Sequence, residues 1–213
     1  MRPASLADVV GQDRLLGRGG PLRRMLDEKR LVSLILWGPP GSGKTTIARL
    51  LAAETYLEFE PLSAVFSGVA DLRKVFEKAK QQRTGGRGTL LFVDEIHRFN
   101  RAQQDGFLPY VEDGTVVLVG ATTENPSFEL NAALLSRCQV FVLERLDADA
   151  LESLLTRAED AMKRSLPLDE DARVAVRAMA PVAGMPPNND DFFSTSANSS
   201  FSYRKMPRSM SRH

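Results

Sequence analysis

The string Gly38-Pro39-Pro40-Gly41-Ser42-Gly43-Lys44-Thr45 constrains this chain more than any other. It follows the apolar run Leu34-Ile35-Leu36-Trp37 and precedes Ile47-Ala48-Arg49-Leu50-Leu51-Ala52-Ala53-Glu54. An apolar run, a glycine-rich turn and an alanine/leucine-rich helix are the setting in which G-x-x-x-x-G-K-T forms a phosphate-binding loop; the alternative is a Gly/Pro surface turn before a helix. Glycines let the backbone curl until several N–H groups point inward, and the N-terminus of the following helix adds a field that favours anions. Gly38, Pro39, Pro40, Gly41, Ser42, Gly43, Lys44, Thr45 and Thr46 are therefore expected to hold a nucleoside triphosphate. Lys44 would reach the β- and γ-phosphates, and the Thr45 hydroxyl would ligate Mg2+.

Short β-rich runs alternate with helix-period segments, which predicts an α/β fold built on a five-stranded parallel sheet with helices on both faces. The expected strands cover residues 32–37, 58–62, 89–95, 116–123 and 140–143, with helices at 44–55 and around Val69, Leu72, Val75, Phe76 and Ala79. From Asp147 the pattern is helical only, with an apolar stripe of Ala150, Leu151, Leu154, Leu155, Ala158 and Met162. Asp169-Glu170-Asp171 opens a further helix expected to run to about Ala180. The expected organisation is a nucleotide-binding α/β domain over residues 1–145, a partial α-helical lid over 146–183, and a tail over 184–213. That tail keeps neither period; its Ser/Asn-rich composition reads as disordered, whether out of frame or a natural basic extension.

Composition excludes several classes. With 213 residues and 43% hydrophobic content the chain can fill a core, and a net charge of +1 gives no global basic field for nucleic acid. The single Cys138 rules out an internal disulfide framework and a Cys-based zinc site. No apolar run reaches membrane-span length and no secretory signal pattern is present, so a cytoplasmic protein without a membrane partner is expected.

The run Thr89-Leu90-Leu91-Phe92-Val93 ends in Asp94-Glu95. Carboxyl ends of parallel strands face the ligand crevice, so both acids would face the nucleotide rather than solvent. Asp94 would join Thr45 in holding Mg2+, and Glu95 would orient and deprotonate the attacking water. His97 completes Asp94-Glu95-Ile96-His97, which superficially copies a helicase acid motif, but the chain has no room for a second motor domain. His97 is expected to be a structural or DNA-side residue and not a metal ligand.

Three stretches together carry a family resemblance: residues 38–45; residues 90–105, with Ile96-His97-Arg98-Phe99-Asn100-Arg101-Ala102-Gln103-Gln104-Asp105; and Gly120-Ala121-Thr122-Thr123-Glu124-Asn125-Pro126-Ser127-Phe128-Glu129-Leu130. They resemble the AAA+ ATPases, and more narrowly the replication-associated recombination protein A family, over about residues 1–180. The resemblance implies that Thr123 takes the sensor-1 position, with Thr122 as the neighbouring alternative. It implies that Arg137, in Leu135-Ser136-Arg137-Cys138, reaches the γ-phosphate held by an adjacent subunit, and that Val9, Val10 and Gly11 line the adenine. It makes Arg73 and Lys74 candidates for contacts to DNA phosphates. The partners it implies are forked or gapped DNA with single-strand/duplex junctions, further copies of the protein in full-length relatives, and a single-stranded-DNA-binding protein, with ATP and Mg2+ as cofactors near the bacterial nucleoid. Where the family's sensor-2 arginine motif would begin, Gly184 is followed by Met185-Pro186-Pro187, so that arginine and the assembly region after it are not expected here.

Overall fold

The computed structural model describes residues 3–178; expectations for the end of the lid segment and for the tail lie outside the described residues. Five parallel strands, β1 (Leu34–Trp37), β2 (Glu58–Ser63), β3 (Thr89–Asp94), β4 (Val116–Thr122) and β5 (Gln139–Val142), form one sheet in the order β2-β3-β4-β1-β5. Ten α-helices run through the described residues. Helices α1 (Asp13–Leu16) and α2 (Pro21–Asp27) precede the sheet, α3 (Lys44–Glu54) follows β1, and α4 (Val69–Thr84) follows β2. Short helices α5 (Arg101–Asp105), α6 (Leu108–Glu112), α7 (Pro126–Glu129) and α8 (Ala132–Leu135) fill the later connections, and α9 (Ala148–Met162) and α10 (Glu170–Ala178) come last.

Strand periodicity explains the two-sided core, because successive side chains point to opposite faces. Leu34, Leu36, Leu90, Phe92, Val119, Ala121 and Phe141 pack with Ile47 and Leu51 of α3 on one face. Ile35, Leu91, Val93 and Leu118 pack on the other with Leu72, Val75, Phe76 and Ala79 of α4, which recur at helical spacing. Each of the buried Leu, Ile, Val and Phe side chains contributes roughly 1.5–3 kcal/mol by leaving water.

The strand bounds shift from those expected, for local reasons. β1 begins at Leu34 instead of Val32: Ser33 accepts the Leu118 N–H on its hydroxyl at 2.9 Å and the Gln139 N–H on its carbonyl at 3.0 Å. β3 stops at Asp94 because Glu95 turns into the left-handed region, at φ 52°. β5 begins at Gln139 and ends at Val142, after which the Leu143 N–H still bonds to the Trp37 carbonyl at 2.7 Å.

Gly120 sets the spacing between the sheet and the turn that follows β3. A Cβ there would come 2.7 Å from Ile35 Cδ1 and 2.9 Å from Ile96 Cδ1. The bare glycine lets the 3-10 turn Ile96–Arg98 lie flat on the end of β4, with Ile96 fully buried.

The last two helices are joined by charge. Arg173 of α10 bonds to Glu152 and Glu159 of α9, while the apolar stripe of α9 is covered only in part: Ala150 is buried but Leu154 and Met162 are exposed.

Candidate nucleotide-binding and catalytic site

The sheet order places the motifs side by side. β4 lies between β1 and β3, with Trp37 opposite Thr122 and Val93 opposite Gly120. Residues just beyond these pairs therefore collect at one edge: the phosphate loop after β1, Asp94 and Glu95 after β3, Thr122 and Thr123 after β4. The Gly38 N–H bonds to the Thr122 carbonyl at 3.1 Å, tying the start of the loop to the end of β4.

Within the loop, Gly41 and Gly43 stand at φ 79° and 94°, where an L side chain is strained, and a Cβ on either would meet open space. The glycines thus serve backbone conformation, leaving the concave side free. Gly43 caps α3, whose first residues are Lys44 and Thr45. Lys44 is buried, and its ammonium donates to the Gly38 and Pro39 carbonyls at 2.8 and 2.9 Å. Burial pushes the Lys44 ammonium below its ordinary pKa, an effect opposed by the carboxylates of Glu95 and then Asp94. The Ser42 hydroxyl is buried with no hydrogen-bond partner among the described residues, a cost of about 1–3 kcal/mol stored inside the loop.

This cradle fits a nucleoside polyphosphate: inward-turning glycine backbone, a helix N-terminus and a desolvated ammonium converge on it. A magnesium ion also fits, because Mg2+ keeps several waters and needs only one or two protein oxygens. Thr45 in the first turn of α3 and Asp94 at the end of β3, both half-buried, are of the right type. Among the described residues no group of three or more His, Cys, Asp or Glu could hold a metal by itself.

Glu95 adopts φ 52°, ψ 45°, costing roughly 1–2 kcal/mol for a residue with a Cβ. Its Oε2 lies 3.5 Å from the Thr123 hydroxyl, at the outer limit of a hydrogen bond, and 3.3 Å from His97 Nε2. Thr122 is fully buried and points instead to His97 Nδ1, at 2.9 Å, while accepting the Glu124 N–H at 3.0 Å. Of the two threonines, Thr123 faces the acid. His97 was expected to be structural or to face DNA; its side chain, 7% exposed, faces Glu95. Glu95 lies two residues away in the same turn, whereas Thr122, 25 residues away, is reached only because the turn folds onto β4.

A cleft of about 620 Å³ continues from the loop, lined among others by Val9, Val10, Gly43, Thr46, Leu146 and Arg157. Gly11, expected beside them, is not among its lining residues. It sits at φ 75° against Leu146, whose Cδ2 would be 2.8 Å from an added Cβ, and so serves close packing. Gln12 and Arg157 are positioned here without having been foreseen. Buried Gln12 donates to the Glu144 carbonyl at 2.8 Å and accepts the Glu144 N–H at 3.2 Å, stitching the N-terminal segment to the exit of β5. Arg157, on α9, donates to the Asp8 carbonyl.

The structure does not bring Arg137 into this assembly. It lies just before β5, whose Gln139 pairs with Leu34, so it occupies the opposite end of the sheet, roughly 13 Å or more from the level of Gly38 along the strands. Its guanidinium is held on the surface by Glu112 of α6 and by the Ala133 carbonyl at 2.7 Å. Neighbouring Cys138 has its thiol pushed up to about 12 by burial, with Arg137 opposing, which leaves it inert as a nucleophile. Arg73 and Lys74 are exposed on α4; Lys74 lies 3.7 Å from Asp71. No helix among the described residues is long and apolar enough to cross a membrane.

Comparison with known proteins agrees with this geometry. The chain is 53% identical over 164 residues to replication-associated recombination protein A of Escherichia coli K12, covering 77% of this chain and 37% of that protein. It is 46% identical over 187 residues to ATPase WRNIP1 of Dictyostelium discoideum, covering 86% of this chain and 21% of that one. It therefore spans little more than a third of the length of the first of these curated relatives. Among solved structures it resembles a RuvB P216G mutant of Thermotoga maritima, with TM-score 0.66 and 28% identity over 83% of this chain and 59% of that one. The RuvB Holliday junction branch migration motor of the same organism gives 0.61 and 31%, over 76% and 55%. Residues 34–146 match the model of the ATPase family associated with various cellular activities (AAA), more than half of the chain, and the chain belongs to that family.

Proposed function

We propose that this chain is an ATP-binding and ATP-hydrolysing core that remodels branched or stalled replication-fork DNA in replication-linked recombination and repair. The observation that carries the hydrolytic reading is the meeting of Lys44, Asp94, Glu95 and Thr123 at one edge of the sheet. The DNA part rests on the 53% identity to the replication-associated recombination protein.

In this reading the phosphate loop binds the triphosphate through its backbone N–H groups, and Lys44 exchanges its carbonyl contacts for phosphate oxygens. Thr45 and Asp94 would hold Mg2+, which would supply charge neutralisation to the triphosphate. Glu95 orients the attacking water and takes its proton, and Thr123 steadies that water from β4. Val9 and Val10 cover the base in the adjoining cleft. Arg137 serves the site of a neighbouring copy, so assembly completes the machinery, and Arg73 and Lys74 contact DNA phosphates on forked or gapped substrates. A single-stranded-DNA-binding protein belongs to the same reading as a partner at the fork.

A second reading, a branch-migration or clamp-loading ATPase, is favoured by the structural likeness to RuvB. Its 28–31% identity is well below the 53% of the first, which supports the first reading. The test is steady-state ATP hydrolysis by this chain, with and without forked DNA, over a range of protein concentrations. The proposal expects turnover that rises with DNA and faster than linearly with protein. ATP binding with no turnover would overturn it and leave a nucleotide-binding interaction module.

A further inference from the structure

We propose that His97 is a positioning residue that locks Glu95 to the end of β4 through a defined tautomer, a role resting on the assignment of Glu95 as the hydrolytic base. Four observations meet at this side chain. It is 7% exposed, its Nε2 is 3.3 Å from Glu95 Oε2, its Nδ1 is 2.9 Å from Thr122 Oγ1, and Gly120 lets its turn sit on β4.

The hydroxyl of Thr122 already accepts the Glu124 N–H at 3.0 Å, and it has one proton to give. The Glu124 carbonyl is 3.2 Å away and His97 Nδ1 is 2.9 Å away. If the proton went to the carbonyl, Nδ1 would carry the imidazole proton, and a bare Nε2 lone pair would face a carboxylate. Giving it to Nδ1 uses the shorter contact and leaves Nε2–H to donate to Glu95. That arrangement, in which Nδ1 accepts and Nε2–H donates, is the one the proposal requires.

The consequence falls on one carboxylate oxygen. Oε2 of Glu95 faces two donors, His97 Nε2–H and the Thr123 hydroxyl at 3.5 Å, one from its own turn and one from just beyond β4. Oε1 is left to meet the water. A glutamate in the left-handed region has few local restraints of its own, and His97 supplies the missing one.

Two measurements test this. The chain holds two histidines, His97 and His213, so its imidazole 15N spectrum contains two rings, assigned with His97→Gln. His97 should show the Nε2–H tautomer at neutral pH, and Thr122→Val should release it toward a mixture. An Nδ1–H tautomer, or a mixture in the unsubstituted chain, overturns the proposal whether or not the chain turns over ATP. In hydrolysis, His97→Ala and His97→Phe should lower kcat about 10–100-fold, as expected for a misplaced catalytic group. Binding of a fluorescent ATP analogue should stay within about twofold, and His97→Gln, which keeps a donor near the Nε2 position, should recover most of the rate. A His97→Phe variant as active as the native chain would make the side chain mere filling, and loss of ATP binding in His97→Ala would make it scaffold; either outcome overturns the proposal. A native chain that binds ATP without turnover fails the hydrolytic reading alone, and the spectrum still decides the tautomer.

Discussion

The two ends of the central sheet treat their charged residues in opposite ways. At the carboxyl end, Lys44 is buried on backbone carbonyls and Glu95 is strained and bonded to a nearly buried histidine. At the amino end, Arg137 is exposed and tied to Glu112, the kind of surface pair worth about 0–1 kcal/mol. The first set costs the fold free energy and can be released only by a ligand. The second costs almost nothing to detach and is free to face another molecule. The groups buried beside the phosphate loop and the arginine proposed to serve a neighbouring copy thus differ in burial before any ligand is considered.

The largest expected effect comes from the outward end. In the proposed assembly, Arg137→Ala should lower kcat on the order of 10³-fold where copies meet, leaving ATP affinity nearly unchanged. Concentration-dependent turnover measures it, and a variant that keeps native rates at every concentration would remove Arg137 from the mechanism. At the inward end, Glu95→Gln should lower kcat about 10²–10³-fold while ATP stays bound, as loss of a general base does. Lys44→Ala should weaken ATP binding by roughly tenfold or more, the worth of a charged hydrogen bond in a desolvated site. Tight binding by that variant, read by titration calorimetry, would sink the cradle. Gly120→Ala should destabilise the chain by about 1–3 kcal/mol through overpacking against Ile35 and Ile96, seen as a lower urea midpoint.

The smallest effect concerns pH. The Cys138 thiol is raised from 9.0 to about 12, so the unfolded chain loses that proton first. Its contribution to stability is whole below pH 9 and declines as pH rises toward 12. Cys138→Ala should flatten alkaline unfolding in that window, and an unchanged profile would contradict the burial.

Much of the inward end was legible in the sequence because it is local. A glycine loop between an apolar run and a helix, or two acids closing a strand, needs only neighbours in the chain. Thr123 was named through family resemblance; in the structure Thr122, the last residue of β4, is fully buried, and Thr123, just past the strand, is half-exposed beside Glu95. His97 was expected to be structural or to face DNA; that its side chain joins Glu95 to Thr122 could not be read from the sequence, because Thr122 lies 25 residues away. The packing of Gly11 against Leu146 could not be read from three small residues, because it depends on φ and on a side chain far along the chain. Helices α5 to α8, of four or five residues each, complete too little of a 3.6-residue period to stand out. Gln12 acts through Glu144, far along the chain, and left no local signal.

Mixing two defective chains tests the division between the ends most directly. Arg137→Ala keeps its own Glu95 and lacks the outward arginine; Glu95→Gln keeps the arginine and lacks the base. Each alone should be nearly inactive, and an equimolar mixture should regain ATP turnover well above the sum of the two, because one copy's Arg137 completes the other's site. A mixture no more active than its separate components, with both variants still binding ATP, would contradict the account.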